Sequence, residues 1–203
     1  MKEQAQIETQ QIIGGMNYNA YRTLIDKLIA ASKTTGNNHS EQLLEYTHLN
    51  IKRMSKWDKI GKITPSLEKI MNKVNRKQKW ILISEAWCGD AAQNLPFIAK
   101  AAAINENIDL QIILRDENLD IMNQYLTNGA MAIPKLVIKD AETNKDLAVW
   151  GPRPRPVQQM LIDMKANGEF DYNQFAILAH TWYAKDKGIT LQNELEKLIE
   201  ELL

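Results

Sequence analysis

The chain has 203 residues, 44% hydrophobic and 25% charged, and its 25 basic and 25 acidic side chains give a formal net charge of zero. That length buries a sizeable core without cross-links, and the balanced charge excludes recognition of nucleic acid or a membrane surface through a bulk basic excess. The single cysteine rules out an intramolecular disulfide, so this is not a stapled, secreted scaffold.

The chain opens on a polar segment, Met1 to Gln11, without the apolar run of a signal peptide. No stretch approaches the roughly 20 apolar residues of a membrane span, and a reducing cytoplasm is the expected compartment. Internal repeats and low-complexity tracts are absent. Three parts are expected: a helical extension over residues 1–78 packed on the core, an α/β domain over 79–167, and a helical tail over 168–203. In the first part, the spacing predicts a helix from Asn17 to Ser32 with Tyr21, Leu24, Leu28 and Ala31 on one face. A second helix follows Ser40 as N-cap and aligns Leu43, Tyr46, Met54 and Trp57. Thr64-Pro65 starts a third, with proline in the first turn.

From Trp80 to Ser84 the character changes to a short, continuous apolar run, the pattern of a strand buried on both faces. Ala91 to Ile104 reads as helix, Ile108 to Leu114 as a second apolar strand, and Asn118 to Leu126 as a helix closed by Asn128-Gly129. Pro134 to Lys139 and Leu147 to Trp150 are strands joined by the polar turn Asp140 to Asp146, most simply a hairpin. Pro156 to Lys165 is a helix. The alternation predicts an α/β fold with a mixed four-stranded sheet. The tail reads as helix, with Phe175, Leu178 and Trp182 at one spacing and then Leu191, Leu195, Leu198 and Leu202 along an amphipathic end.

The chemistry-bearing feature is Glu85-Ala86-Trp87-Cys88-Gly89-Asp90-Ala91, between a strand and a helix. A cysteine there sits at a helix N-terminus, where unpaired amide N–H groups and the macrodipole favour a thiolate. The expectation is an accessible, somewhat acidified thiol; the rival is an inert, buried one. Gly89 allows close backbone approach. Asp90 reads chiefly as a helix cap, although its charge would raise the thiol pKa.

This turn resembles the active site of the thioredoxin superfamily, specifically the bacterial thioredoxin-like proteins with a Trp-Cys-Gly-Asp motif. The likeness rests on Trp87-Cys88-Gly89, on Ala132-Ile133-Pro134 opening the third strand, and on Trp150-Gly151 after the last one. It covers about residues 80–166, which makes 79–167 a thioredoxin-like domain. The resemblance implies a cis bond before Pro134, facing Cys88, and a groove where Ile133 pairs with an extended substrate segment. Cys88 is then the catalytic position, with Trp87, Gly89, Ile133, Pro134 and Arg153 as substrate-binding candidates. Two departures stand out. Ala91 occupies the place of the family's second cysteine, and Leu82 the place of the buried acid carried by many members. Dithiol disulfide reduction by this chain alone is therefore excluded.

Gly151-Pro152-Arg153-Pro154-Arg155-Pro156 is expected to be a stiff, extended loop. It would hold Arg153 and Arg155 ready for a thiolate or an anionic ligand, or serve as a rigid connector. His39, His48 and His180 show no ligand spacing, so no metal is assigned, and no cofactor is implied. Asp116-Glu117-Asn118 reads as acids at a helix start. Three functions follow: monothiol exchange with a protein or low-molecular-weight thiol or disulfide, a non-catalytic module binding an extended peptide at Ile133-Pro134, or a sensor oxidised at Cys88. Oligomeric state is not encoded legibly.

Overall fold

Trp80 to Ile83 is apolar at every position because both faces of its strand are covered. In the computed structural model, which describes residues 14–168 and 170–203, this run lies inside a four-stranded mixed sheet. The polar start from Met1 to Gln11 falls outside the described residues. Strand β1 (Gln78–Ser84) pairs in parallel with β2 (Ile108–Leu114) and antiparallel with β3 (Lys135–Asp140). Strand β4 (Asp146–Trp150) pairs antiparallel with β3, so the order is β2-β1-β3-β4. Leu82 stands opposite Ile112 on one side and Leu136 on the other, and all three are fully buried. The fold is α/β, with helices flanking the sheet and further helices at both ends.

Before the sheet come α1 (Tyr18–Ala30), α2 (Glu41–Ile60) and α3 (Pro65–Met71). Asn17 caps α1 by accepting from Ala20 N–H, and Thr64 caps α3 ahead of Pro65. Helix α4 (Gly89–Ala102) follows β1, and a short 3-10 turn (Arg115–Glu117) and α5 (Leu119–Met122) follow β2. Helices α6 (Arg155–Ala166), α7 (Tyr172–Asp186) and α8 (Ile189–Glu200) complete the chain. Helix α2 packs on α4, and α3 on α8. One apolar core joins Tyr21, Met54 and Trp57 of the leading helices to Trp80 and Leu82 of the sheet and to Leu191 and Leu195 of the last helix. A smaller cluster of Val157, Phe175, Ala179 and Tyr183 ties α6 to α7.

Three expected patterns shift. Helix α1 buries Tyr21 and Ile25, while Ala31 is its exposed C-cap. The helix expected over Asn118 to Leu126 shrinks to α5, because of its apolar residues only Ile121 and Met122 find a buried place and Leu126 is exposed. In α7 the buried face is Phe175, Ala179 and Tyr183; Leu178 is exposed and Trp182 half-buried. That helix is apolar on more than one side, so spacing alone does not select its face. Among the described residues no helix is long and apolar enough to cross a membrane.

Candidate functional site around Cys88

The chain leaves β1 at Ser84 and turns through Glu85, Ala86 and Trp87 before Cys88 caps α4. Cys88 N–H donates to Glu85 O at 3.1 Å, and Cys88 Sγ accepts from Ala91 N–H at 3.4 Å. The leading segment, through the α1–α2 loop and α2, holds this turn. Ala86 N–H donates to Thr35 Oγ1 at 2.8 Å, Asn50 Nδ2 of α2 donates to Ala86 O at 2.9 Å, and Arg53 Nη1 donates to Asn50 Oδ1 at 2.7 Å. Opposite the thiol, Cys88 S–H donates to Ile133 O at 3.3 Å. The Ile133–Pro134 bond is cis, and so is Gly151–Pro152; the sequence reading anticipated the first and not the second. Gly151 has φ +113°, and a Cβ there would come within 2.3 Å of Pro134 O, so only glycine lets the loop after β4 lie against the cis-proline turn.

The expectation of an accessible, acidified thiol is overturned. Cys88 is 8% exposed, and burial pushes its thiol up to about 12, with the Asp90 charge adding to the rise. Ala91 N–H and the Arg153 charge oppose the rise without cancelling it. The helix-end effect is present but smaller than the cost of ionising a sulfur away from water.

Asp90 is not the cap, a role Cys88 takes. Its Oδ2 accepts from Arg153 Nε at 2.8 Å and Nη2 at 2.7 Å, and its Oδ1 from Tyr183 O–H at 2.7 Å. Arg153 was expected to stand ready for an anion. It is instead turned inward, with a side chain 12% exposed, bound to Asp90 and Gln158 Oε1 and lying over the Phe175 ring at 5.5 Å. A buried carboxylate at hydrogen-bond range captures the guanidinium before any ligand can. Arg155, on the same loop, is exposed.

Glu85 is a buried acid that sequence reasoning passed over. Leu82, at the place where the family often carries an acid, is fully buried and apolar. Glu85, one residue past the strand, is also fully buried. Its Oε1 accepts from Asp116 N–H at 3.0 Å, its Oε2 finds no hydrogen-bond partner among the described residues, and burial raises its pKa. Asp116 and Glu117 lie in the 3-10 turn, and Arg115 pairs with Asp116 while its guanidinium covers the Trp87 ring at 4.8 Å.

A cavity of about 400 Å³ opens over Cys88, with Trp87, Gly89, Ile133 and Arg153 in its lining. Of the predicted site residues, only Pro134 stays outside the lining, one residue behind Ile133. Two walls come from outside the central domain: Leu43 and Tyr46 of α2, and Tyr172, Phe175 and Ala179 of α7. Helix α7 also delivers His180. Trp57 Nε1–H can only donate, and it donates to Gln93 Oε1 at 2.6 Å. Gln93 therefore presents its amide nitrogen, as donor, to His180 Nδ1 at 3.1 Å. This network assigns the neutral tautomer with the proton on Nε2, and burial, helped by the Arg53 charge, lowers the imidazole to about 4. Nε2 lies 2.9 Å from the place a Cβ on Gly89 would take, so glycine at 89 is what admits it. His180 and Arg53 gave no local signal, because each reaches the turn from a different helix. The nearest clue was a glutamine and an asparagine, Gln93 and Asn50, at core-facing positions of helices.

A family model described as thioredoxin matches residues 36–165, which takes in α2 and α3 as well as the sheet and its helices. The fold is similar to a crystal structure of a protein of unknown function from Pseudomonas aeruginosa, at 18% identity over 93% of this chain and 99% of that one, with a TM-score of 0.57. It is also similar to a crystal structure of an HIV epitope-scaffold, at 19% identity over 92% of this chain and 99% of that one, with a TM-score of 0.54. Among curated proteins no match is found.

Proposed function

The chain belongs to the thioredoxin family, and from that premise we propose that Cys88 works as a monothiol. It exchanges with a disulfide to form a mixed disulfide, which a second, external thiol resolves. The observation that carries this reading is the seat of Cys88 Sγ, between Ala91 N–H at the α4 N-terminus and Ile133 O before the cis-proline. Ala91 offers no internal resolving thiol, and the chain has no second cysteine.

At rest the thiol is protonated and parked on Ile133 O. A ligand that takes over that acceptor removes the bond holding the proton, while the Ala91 N–H and the Arg153 charge remain to favour the thiolate. The attacking thiolate breaks the S–S bond of the incoming disulfide, and the leaving thiolate takes up the proton that Cys88 loses. The walls from α2 and α7 narrow the groove, which suits a small disulfide better than an extended protein segment. A thiol that must stay reduced fits a reducing, cytoplasmic setting.

The test is incubation of the reduced full chain with 2-hydroxyethyl disulfide, followed by intact mass. We expect one adduct on Cys88, released by a second small thiol and absent in Cys88→Ser. No adduct on the folded chain, where the urea-unfolded chain is modified readily, overturns the reading.

A further inference from the structure

Behind Gly89 the groove continues into a second cavity, of about 370 Å³, which shares Tyr46, Trp87, Gly89, Tyr172, Ala176 and His180 with the first. Its chemistry differs. The first cavity has Asp90, Arg115 and Arg153 in its lining, and all three are spent in ion pairs. The second has a single charged residue among its described lining, Arg53, and no carboxylate. Among the described residues no acid lies at ion-pair distance from Arg53; Nη1 donates to Asn50 Oδ1, a neutral acceptor, and the rest of its donor fork stays unmatched by a carboxylate. Burial lowers the pKa of Arg53, the sign of a cation short of compensation. Beside it His180 offers Nε2–H, because Gln93 occupies Nδ1. Cation, N–H donor and the half-buried Gly89 backbone at the start of α4 converge on one space.

We infer that this second cavity is a carboxylate site, in which Arg53 and His180 Nε2–H hold the acid group of a small disulfide whose sulfur lies over Cys88. The inference rests on the monothiol reading and names its substrate class: low-molecular-weight disulfides with a carboxylate a few bonds from sulfur. A guanidinium fork matches a carboxylate in geometry as well as charge, and the volume suits a small ligand. The reaction balances as Cys88–SH plus RSSR giving Cys88–SSR plus RSH, with the carboxylate unchanged throughout. Arg53 and His180 thus act on position, and Cys88 on chemistry.

The probes are dithiodiglycolate, neutral 2-hydroxyethyl disulfide and cationic cystamine, with mixed-disulfide formation on the full chain followed by intact mass. We expect dithiodiglycolate to react about tenfold faster than the neutral probe, the equivalent of about 1.4 kcal/mol, and cystamine slowest. In Arg53→Gln the ratio of anionic to neutral rates falls towards one. Equal rates in the parent chain overturn the carboxylate site and leave monothiol exchange standing. If no probe reacts, exchange fails, and titration of Cys88→Ser with dithiodiglycolate decides the site alone. A saturable shift of the His180 imidazole resonance, lost in Arg53→Gln, supports it; an unmoved resonance overturns it.

Discussion

Arg153 and Arg53 both approach the cysteine turn, one from the loop after β4 and one from α2, and their circumstances are opposite. Arg153 arrives on the loop after β4 and meets Asp90, whose other oxygen takes the Tyr183 hydroxyl, so the guanidinium is fixed at 12% exposure. Arg53 arrives on α2 and meets an asparagine. One positive charge is consumed in docking α4 to the loop and to α7. The other makes no ion pair among the described residues and borders a cavity. Nearness to the cysteine turn therefore says little about which cation is free for a ligand; the partner already in place decides it.

The same contrast governs the sulfur, where the largest effect is expected. With its thiol at about 12 against an ordinary 9.0, Cys88 carries about a thousandfold less thiolate near neutral pH than an unfolded chain does. Iodoacetamide labelling of the folded chain should be slower than that of the urea-unfolded chain by about that factor, and should keep rising with pH to 10 and beyond. Asp90→Asn removes the second cause of the rise and should speed labelling severalfold. A plateau near pH 8 in the folded chain would show that burial does not control this thiol.

Next in size is the Asp90–Arg153 pair. Arg153→Met leaves a mostly buried carboxylate with the Tyr183 hydroxyl alone, and should cost about 3 kcal/mol in urea unfolding, since unpairing a buried charge is expensive. Adding Asp90→Asn should recover part of the loss, a coupling that independent sites do not show. A loss under about 1 kcal/mol would mean that the pair behaves like a surface ion pair, and the two arginines would then be more alike than their geometry says.

The sheet and its helices were legible because burial writes itself into runs and periods. Trp80 to Ile83 is a continuous apolar run and lies in the inner strand β1, while Ile112 to Leu114 is the apolar end of β2, beside it. The cysteine turn was legible for a different reason, as a short motif whose residues stay adjacent in the fold. What failed was everything that depends on who meets whom across the chain. Nothing local in Gly151 to Pro156 says that Asp90 and Tyr183 wait for Arg153. Nothing in α2, α4 or α7 alone says that Trp57, Gln93 and His180 form a line ending at Gly89. Glu85 was readable in principle, as an acid closing a buried run, but the amide that meets its carboxylate, Asp116 N–H, comes from a distant segment.

The Arg53 flank has its own titration. The His180 imidazole stands at about 4 in the fold and 6.5 in the open chain. Between those values the unfolded chain binds a proton that the folded chain refuses, so stability is lost as pH falls from 6.5 towards 4 and the loss levels off below it. His180→Gln should flatten that part of the stability curve while leaving stability above pH 7 close to the parent, as urea midpoints across the range would reveal. An unchanged acid limb would mean that His180 is solvated and free to charge, and its role as a fixed Nε2–H donor would go with it.

The smallest expected effect sharpens the comparison most. Arg53→Gln removes a cation that has no acid to leave behind, and the amide can still donate to Asn50 Oδ1. The cost of losing one such hydrogen bond is about 1 kcal/mol or less, against about 3 kcal/mol for Arg153→Met. It should also lift the His180 pKa, because the Arg53 charge is the second cause holding it down, and NMR titration of the imidazole would read that shift directly. Were Arg53→Gln to destabilise as much as Arg153→Met, Arg53 would be holding the fold rather than waiting for a ligand. A small cost with a raised His180 pKa is the pattern of a charge kept unpaired beside an empty space.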